Sequence, residues 1–290
     1  MISIGLLLHG LMLGALYGLF GLGLSFAFGI MRIVNIAHGD LIVLAAYLGA
    51  TLIAHLHLPI AAVAPIVLVV AFGAGWPLQS ALLNRLVGPN PVPAMIATMG
   101  LSILLRNGLV KVFGAGIRSI HVGSIQYRSV SILGTSIGVF PLIIFGCAIA
   151  AFAAMHLLLH RTTLGRAFRA AADDHEILET LGFNRRRVYS AAMGLAVALS
   201  ALSGLLLAMQ SSFSPYSGVE RLLLSFEVVI IGGLGSLGGT LGAGLFLGLV
   251  QVIGLGFDSD AGPIFQHAAF FAVLLARQIR VPRALVWRRR

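Results

Sequence analysis

The sequence predicts an all-α polytopic membrane protein with about eight transmembrane helices, some of them broken or re-entrant at glycine-rich segments. The 290-residue chain is 59% hydrophobic and 10% charged, with a mean hydropathy of +1.01. That composition leaves too little polar surface to cover a soluble globule of this size. The apolar residues run continuously instead of alternating, which favours helices over a barrel. We therefore expect a single transmembrane domain over residues 1–290.

The charged and reactive residues exclude several classes of function. The net charge of +10 is almost entirely arginine, because Lys111 is the only lysine, and membrane orientation explains it without nucleic acid. Lys111 follows no phosphate-binding glycine loop, and no cysteine and histidine cluster has metal-ligand spacing. The single cysteine, Cys147, cannot form an intrachain disulfide. We expect no catalytic residue, metal, cofactor or nucleic-acid partner, and no enzymatic activity.

The first span is predicted within residues 1–31, which contain no acidic residue, lysine or arginine. The N-terminus has no basic region and no cleavage pattern, which indicates a retained span and not a signal peptide. Gly10, Gly14 and Gly18 recur at every fourth position. This spacing places them on one helix face, where another helix can approach closely.

A short polar interruption follows at MRIVNIAHGD, residues 31–40, and predicts a loop or a broken-helix junction. His38 near Asp40 could suggest a metal site or a proton relay, but two polar groups without further ligands are weak evidence. We expect instead that Asn35 and Asp40 cap helix ends.

The middle of the chain predicts further spans. Leu41–Asn84 is uncharged and long enough for two helices, with a break at His55–Pro59. The run from Ala94 to Phe113 contains Arg106, which must snorkel to the surface or face the protein interior. Residues 114–138 are rich in glycine and serine and predict an extramembrane loop with short strands. The remaining spans are predicted over Val139–His160, Val188–Gln210, Phe226–Ile253 and Gly262–Ala276.

One long charged passage, Arg161–Arg187, lies between two apolar runs and should form a helix in water at the membrane surface. Thr162 or Thr163 can cap the start of this helix, and Gly182 can end it. Its single apolar stripe could lie in the lipid headgroups or insert into a groove of a soluble partner. The stripe consists of Leu164, Phe168, Ala171, His175 and Leu178.

Arginine placement predicts the orientation. Twelve of the eighteen arginines lie in residues 161–187 and 277–290, which places the charged passage and the C-terminal tail in the cytoplasm. The span from Val188 then leaves the cytoplasm and the final span returns to it, so Leu222–Ile253 must begin and end outside. The glycine cluster Gly232–Gly239 is therefore predicted to be the bend of a hairpin or of two half-helices.

Working backwards along the spans places Arg85 and Arg32 inside and the N-terminus outside. An alternative remains open at this point. If MRIVNIAHGD is itself a re-entrant bend, the N-terminus moves to the inner side.

The chain resembles a known family in three places. Gly165, Arg169, Ala170, Asp173, Leu181 and Gly182, followed by SALSGLLLA, resemble the cytoplasmic coupling motif of ABC-importer permeases. LHGLMLGALYGLFGLGLSFAFGIMRIVNIAHGDLIVLAAYLG near the start and FEVVIIGGLGSLGGTLGAGLFLGLV near the end resemble the branched-chain amino acid permease family, in the right order.

The resemblance implies a permease of the ABC-importer type in the inner membrane. It implies a second permease subunit, two cytoplasmic ATPases, a periplasmic binding protein and contact with membrane lipid. The implied substrate is leucine, isoleucine or valine. The candidate ATPase-coupling residues are Gly165, Phe168, Arg169, Ala170, Asp173, Leu178, Leu181 and Gly182. The candidate pathway residues are Asn35, His38, Gly39, Glu227, Gly232, Gly233, Gly235, Gly238 and Gly239.

Other functions stay open. The same architecture handles urea, short amides and other amino acids. An ion-driven secondary transporter would require paired intramembrane acids or histidines, which the sequence does not display. A structural membrane subunit without a pathway fits poorly with glycine-broken helices.

Overall fold

The computed structural model describes residues 4–88, 90–120, 128–132, 135–173, 175–180 and 182–280. Helices account for most of them, and a short antiparallel strand pair follows α4. The helices are α1 Ile4–Met31, α2 His38–Leu56, α3 Ile60–Pro77, α4 Val92–Phe113, α5 Val139–Arg161, α6 Thr163–Asp173, α7 His175–Thr180, α8 Arg185–Gln210, α9 Ser217–Gly232, α10 Leu237–Leu255 and α11 Ala261–Arg280. The strands are β1 Ser129–Ile132 and β2 Thr135–Gly138. A π turn, Leu78–Leu82, and a 3₁₀ turn, Leu83–Arg85, extend α3.

Seven helices in the described part of the chain are long and apolar enough to cross a membrane. They are α1, α2, α3 with its extension, α4, α5, α8 and α10. Helix α11 has the length of a span but carries arginine near its end, and α9 has only 16 residues. The predicted all-α membrane fold is confirmed, and about eight spans corresponds to these seven together with α11.

Helix α1 lies in the centre of the molecule and packs against α10 through glycines. Gly14 faces the backbone of Gly244 and Leu245, and Gly10 faces that of Leu249. As residue numbers increase along α1, the residue numbers of the contacts in α10 decrease, so the two helices are antiparallel. In lipid, such packing supplies the association energy that the hydrophobic effect supplies in water. The prediction that the Gly10, Gly14 and Gly18 face admits a close helix is confirmed.

Helix α8 is the second central helix. Gly75 of α3 meets the backbone of Gly194, and Asn84 donates to the carbonyl of Arg186, so α3 and α8 are also antiparallel. Across the middle of the molecule, Gly23 of α1 lies against the Ala196 carbonyl of α8. Residues on the contact faces of both central helices are buried.

The bundle has two ends, which we name by their contents. The coupling end carries α6 and α7, and the far end carries β1 and β2. Met31 at the end of α1 lines a cavity with Asp173 at the coupling end, whereas Gly5 lies against Thr135 at the far end. The start of α1 therefore lies opposite the charged passage, as the arginine count predicts for the N-terminus.

The predicted junction after α1 turns back into the bundle. Residues 32–37 return from the coupling end, and His38 at the start of α2 lies 2.7 Å from the carbonyl oxygen of Phe20 near the middle of α1. Helix α2 thus begins at mid-depth and runs to the far end. The segment is re-entrant, yet the start of α1 stays opposite the coupling end because α1 crosses completely before the chain turns back. The alternative that moves the N-terminus inside is wrong.

A second segment turns back in the same way. Phe213 packs its ring on Tyr47 near the far end, with centroids 5.0 Å apart. A few residues later, Gly218 in the first turn of α9 touches Gly39 and Asp40 in the first turn of α2. Helix α9 therefore also begins at mid-depth, and it runs to the coupling end. The two half-helices meet at their N-termini in the middle of the bundle.

The two halves of the bundle share one order of elements. Each has a long crossing helix, a re-entrant segment, a half-helix and two further helices, in α1–α4 and α8–α11. The halves run in opposite directions, since α1 packs antiparallel on α10 and α8 packs antiparallel on α3. Such inverted repeats place the meeting point of the broken helices near the bilayer midplane.

The hairpin predicted from the arginine count is present. Helices α9 and α10 run antiparallel and are joined at Gly233–Ser236, where Gly233 and Gly235 have φ of +92° and +84°. These left-handed conformations suit glycine, which has no Cβ. Ser236 caps α10 by accepting from the Gly239 N–H at 3.1 Å. Gly235 touches Gly29 near the coupling end of α1, which places the bend there.

Cysteines at Ser236 and Ser259, each introduced in a Cys147→Ser background, should label from opposite sides of the membrane. Ser236 lies in the bend at the coupling end, whereas Ser259 follows Gly256, which lies beside Leu6 at the far end. The measurement is modification by a membrane-impermeant thiol reagent in intact cells and in inverted vesicles. Reaction of both cysteines from one side would contradict the hairpin.

The region before α5 contains the predicted short strands, which pair with Ser129 opposite Gly138. Arg118 bonds in both directions with the backbone of Phe213, and its guanidinium lies 5.7 Å from the ring centre of Tyr47. This loop and the second re-entrant segment are therefore in contact at the far end. Residues 121–127 and 133–134 of the predicted loop lie outside the described residues.

Candidate coupling surface and substrate pathway

The start of α6 is fixed to the end of α5 by local chemistry. Thr162 accepts a hydrogen bond from the Gly165 N–H at 2.9 Å, which confirms the predicted cap. Gly165 is buried against the carbonyl groups of Leu158 and Leu159, where a side chain would collide with backbone. Arg169 donates to the Leu159 carbonyl. Gly165 and Arg169 therefore fix the angle between α5 and α6.

The apolar stripe of the coupling helices points into the bundle. Phe168 is fully buried, and its ring meets that of Phe26 on α1 edge to face at 5.3 Å. Ala171 and Leu178 are also buried, whereas Leu164 is 41% exposed. The prediction that this stripe inserts into lipid headgroups or a partner's groove is wrong for these buried side chains. The chain's own spans cover them and remove their apolar surface from water.

The segment predicted as a single helix from residue 163 to 181 is described as two helical stretches, α6 and α7, on either side of residue 174. Residue 174 and Leu181 lie outside the described residues, and the side chain of His175 is not described either. Gly182 ends the segment as predicted, with φ of +81° and its N–H donating to the Glu179 carbonyl at 3.0 Å. Phe183 donates to the Leu178 carbonyl at 3.2 Å and completes a glycine-based C-terminal turn.

The outward face of the coupling helices is polar. Arg166, Arg169, Asp173 and Glu179 are exposed there, while Ala170 is half-buried between the two faces. A partner that binds this end of the bundle would meet these charges and not the buried side chains of Phe168, Ala171 and Leu178.

A cavity of about 730 Å³ lies between α6 and the ends of α1 and α8. Arg32, Asp173, Arg185 and Tyr189 contribute polar groups to its lining. The sequence reasoning missed this cavity, although Arg32, the first charged residue of the chain, was a signal at its rim.

The first pathway candidates lie where the half-helices meet. Asn35 accepts from the Ala37 N–H at 3.0 Å and shapes the turn before α2, but it does not cap that helix as predicted, because Ala37 is the N-cap residue and no side chain caps α2. His38 is buried and donates from Nε2 to the Phe20 carbonyl, while Nδ1 faces the Ser200 hydroxyl at 3.2 Å. Gly39 is in contact with Gly218. All three residues position α2 against its neighbours.

Asp40 does not cap a helix end, contrary to the prediction, because it lies inside the first turn of α2. It is buried, accepts from the Ser102 hydroxyl, and lies 3.5 Å from the guanidinium of Arg106. Arg106 thus faces the protein interior, one of the two predicted arrangements. A buried carboxylate requires such a partner because desolvation of an unpaired charge costs several kcal/mol, roughly.

Glu227 is buried in α9 and bound by α11. Gln266 donates to its carboxylate at 2.9 Å, and His267 Nδ1 lies 2.5 Å from its other oxygen. The sequence did not predict either partner. It also showed no paired intramembrane acids or histidines of the kind that an ion-driven transporter requires. Within the described residues, no group of three or more potential ligands could hold a metal ion.

The remaining pathway candidates belong to the α9–α10 bend at the coupling end. Gly232 and Gly239 touch through their backbones across the hairpin, and Gly233 and Gly235 form the turn. Gly238 has open space on its side-chain face. These glycines lie at the coupling end and not at mid-depth, far from the meeting point of the half-helices.

Known proteins with similar sequences are membrane permeases. The family described as "Branched-chain amino acid transport system / permease component" matches residues 6–276. The chain is 27% identical over 266 residues to the high-affinity branched-chain amino acid transport system permease protein BraD of Pseudomonas aeruginosa, which covers 88% of this chain and 87% of BraD. It is 25% identical over 292 aligned positions to the corresponding protein LivH of Escherichia coli K12, covering 97% and 94%.

A more distant similarity extends to a protein named for another substrate. The chain is 26% identical over 248 residues to the ribose import permease protein RbsC of Haemophilus influenzae, covering 83% of this chain and 72% of RbsC. No solved structure matches the chain. Because the family match spans nearly the whole transmembrane bundle, the chain belongs to the branched-chain amino acid transport system permease family, as a multi-pass inner-membrane permease subunit of an ABC importer.

Proposed function

We propose that the chain moves branched-chain or other hydrophobic amino acids across the inner membrane and that ATP drives this import. Its partners in this proposal are a second permease subunit, two cytoplasmic ATPases and a periplasmic substrate-binding protein. The proposal is supported by family membership and by the names of BraD and LivH. The family consists of membrane permease subunits, so the chain is a transport protein and not an enzyme.

The observation that carries the ATP-driven part is the contact between Phe168 and Phe26. It joins the coupling helices directly to α1, and α1 in turn packs against α10 and holds the start of α2 through Phe20 and His38. A displacement of α6 by an ATPase would therefore reach the meeting point of the half-helices through packed side chains. Packed interfaces convert such small shifts into discrete rearrangements.

The proposed contact with the ATPase has two parts. The exposed polar face around Arg169, Ala170 and Asp173 would touch the ATPase. The buried and backbone positions Gly165, Phe168, Leu178 and Gly182 would hold that face in place, and Leu181 belongs to the same segment by its motif position. The polar mid-depth residues and the glycine bend are proposed to adjoin the substrate pathway.

Uptake in reconstituted vesicles tests this function. We expect leucine uptake by the assembled complex to require ATP, both ATPase subunits and the binding protein. Uptake that persists without ATP and follows an ion gradient would contradict the proposal.

A second candidate function, ion-coupled transport, is favoured by one observation. The Glu227–His267 pair is the kind of intramembrane acid and histidine pairing that ion coupling uses. The same assay separates the two functions. A proton gradient should leave uptake unchanged if the pair is structural.

Replacement of Gly182 by proline should abolish coupling while the protein still inserts. Proline requires φ near −65°, roughly, whereas Gly182 has φ of +81° and uses its N–H in the turn. We expect loss of ATP-dependent uptake with a normal amount of protein in the membrane. Gly182→Asn is the matched control, because asparagine tolerates the left-handed conformation and should keep most of the uptake. Unchanged uptake in Gly182→Pro would exclude this turn from coupling.

A further inference from the structure

Glu220 lies at mid-depth in the bundle. It is in the first turn of α9, next to Gly218, which touches Gly39 and Asp40 of α2. The guanidinium of the adjacent Arg221 lies 5.8 Å from the ring centre of Phe20, near the middle of α1. These contacts place the Glu220 backbone level with the meeting point of the two half-helices.

The acidic residues in the first turns of α2 and α9, Asp40 and Glu220, have different surroundings. Asp40 in α2 is 2% exposed and is held by Ser102 and Arg106 of another helix. The side chain of Glu220 in α9 is 67% exposed, and its ion pair in the described structure is with its neighbour Arg221 at 3.3 Å. Glu220 therefore has capacity left for a ligand, whereas Asp40 does not.

The exposed face around Glu220 cannot be a lipid-facing surface. Tyr216, Val219, Glu220 and Leu223 follow the i, i+3, i+4, i+7 spacing of one helix face, and each is at least half exposed. A carboxylate in lipid at mid-depth costs about 3 kcal/mol or more. Burial in a dry interface with a second subunit would add a desolvation cost that the one contact with Arg221 does not offset.

We propose that this face of α9 lines the aqueous substrate pathway and that Glu220 binds the α-ammonium group of the amino acid. The flanking Val219 and Leu223 present apolar surface at the same position, which suits an aliphatic substrate side chain. This assignment rests on the proposed amino acid import for the identity of the ligand. Exposure of the face to water does not depend on it.

Thiol labelling tests the aqueous pathway independently of transport. In the assembled complex with Cys147→Ser, Glu220→Cys should react rapidly with a cationic, membrane-impermeant methanethiosulfonate. The matched control is Leu104→Cys, because Leu104 is also exposed, by 71%. It lies at about the same depth as Glu220, since it is two residues from Ser102, the partner of Asp40. Reaction of Glu220→Cys no faster than Leu104→Cys would overturn the proposal, and so would a disulfide between two subunits at position 220 without labelling.

Uptake kinetics test the ligand. Glu220→Gln should lower ATP-dependent leucine uptake by about tenfold or more, since a charge-assisted contact is lost. Glu220→Asp, which keeps the charge, should retain most of the uptake. Asp258→Asn, an exposed acid between α10 and α11, is the control for loss of charge alone.

The possible failures are distinguishable. Wild-type uptake in Glu220→Gln, with a working wild-type complex, would overturn recognition of the ammonium group by Glu220. Failure of the wild-type complex to import any amino acid would instead contradict the proposed function, and the labelling result would still decide whether the α9 face is wet.

Discussion

Replacing Gly14 with valine is expected to abolish assembly of the folded permease. A Cβ atom at this position would lie 2.6 Å from the Gly244 oxygen and 2.6 Å from the Leu245 Cα, both of them backbone atoms of α10. Backbone cannot give way as a flexible side chain does, so α1 and α10 would have to separate along their glycine contact. Overpacking typically costs about 1–3 kcal/mol and more where backbone must move. The measurement is the yield of monodisperse protein in detergent and its thermal unfolding.

The matched control for this change is Gly100→Val in α4. Gly100 is also helical, but a Cβ there would meet nothing within 4 Å. Valine has a somewhat higher helix propensity than glycine, so this change should be close to neutral for stability. Equal yields of Gly14→Val and Gly100→Val would contradict the close packing of α1 on α10.

Replacing Phe168 with aspartate is expected to abolish ATP-dependent uptake while the spans still insert. The side chain of Phe168 is fully buried against Phe26. Truncating a buried phenylalanine costs about 3–5 kcal/mol, and an unpaired carboxylate in its place adds desolvation. Since the spans do not depend on this contact, α6 should leave the bundle without unfolding it. ATP hydrolysis by the assembled complex should then no longer respond to the loaded binding protein.

Two variants control for this change. Leu164→Asp places the same charge on the same helix at a side chain that is 41% exposed, and it should be tolerated far better. Phe168→Leu keeps an apolar side chain and should retain partial coupling. Normal uptake by Phe168→Asp would remove the basis for transmission through α1.

Much of the fold could be predicted because it depends on countable features. The spacing of Gly10, Gly14 and Gly18 predicts a close helix, and the count of arginines on two segments predicts the α9–α10 hairpin. Gly182 could be predicted to end the coupling segment because glycine is favoured in the left-handed conformation it adopts. Each of these inferences uses local chemistry or the parity of spans.

The polar pairs could not be predicted because their members are distant in sequence. Asp40 meets Ser102 and Arg106 across 62 and 66 positions, and Glu227 meets Gln266 across 39 positions. Taken singly, these residues resemble isolated polar groups in apolar runs. Only the packing of α4 on α2 and of α11 on α9 turns them into satisfied pairs.

The surface that covers the apolar stripe could not be predicted either. Periodicity shows that Leu164, Phe168 and Ala171 share a face of a helix, but it does not say what covers that face. Lipid, a partner and the chain's own spans all offer apolar surface. The third alternative was absent from the sequence reasoning, and it is the one that the structure contains for Phe168 and Ala171.

By itself, the amino-acid sequence determined the membrane class, the helical spans, the hairpin at Gly232–Gly239 and the family, because composition, spacing and the sidedness of arginine are properties of the linear chain. Only the tertiary structure decided that both half-helices begin at mid-depth, that Asp40 is neutralised and that Glu220 stays exposed. Burial and pairing of a charge depend on which segments pack together. Asp40 and Glu220 each lie in the first turn of a half-helix, and the sequence alone does not distinguish their surroundings.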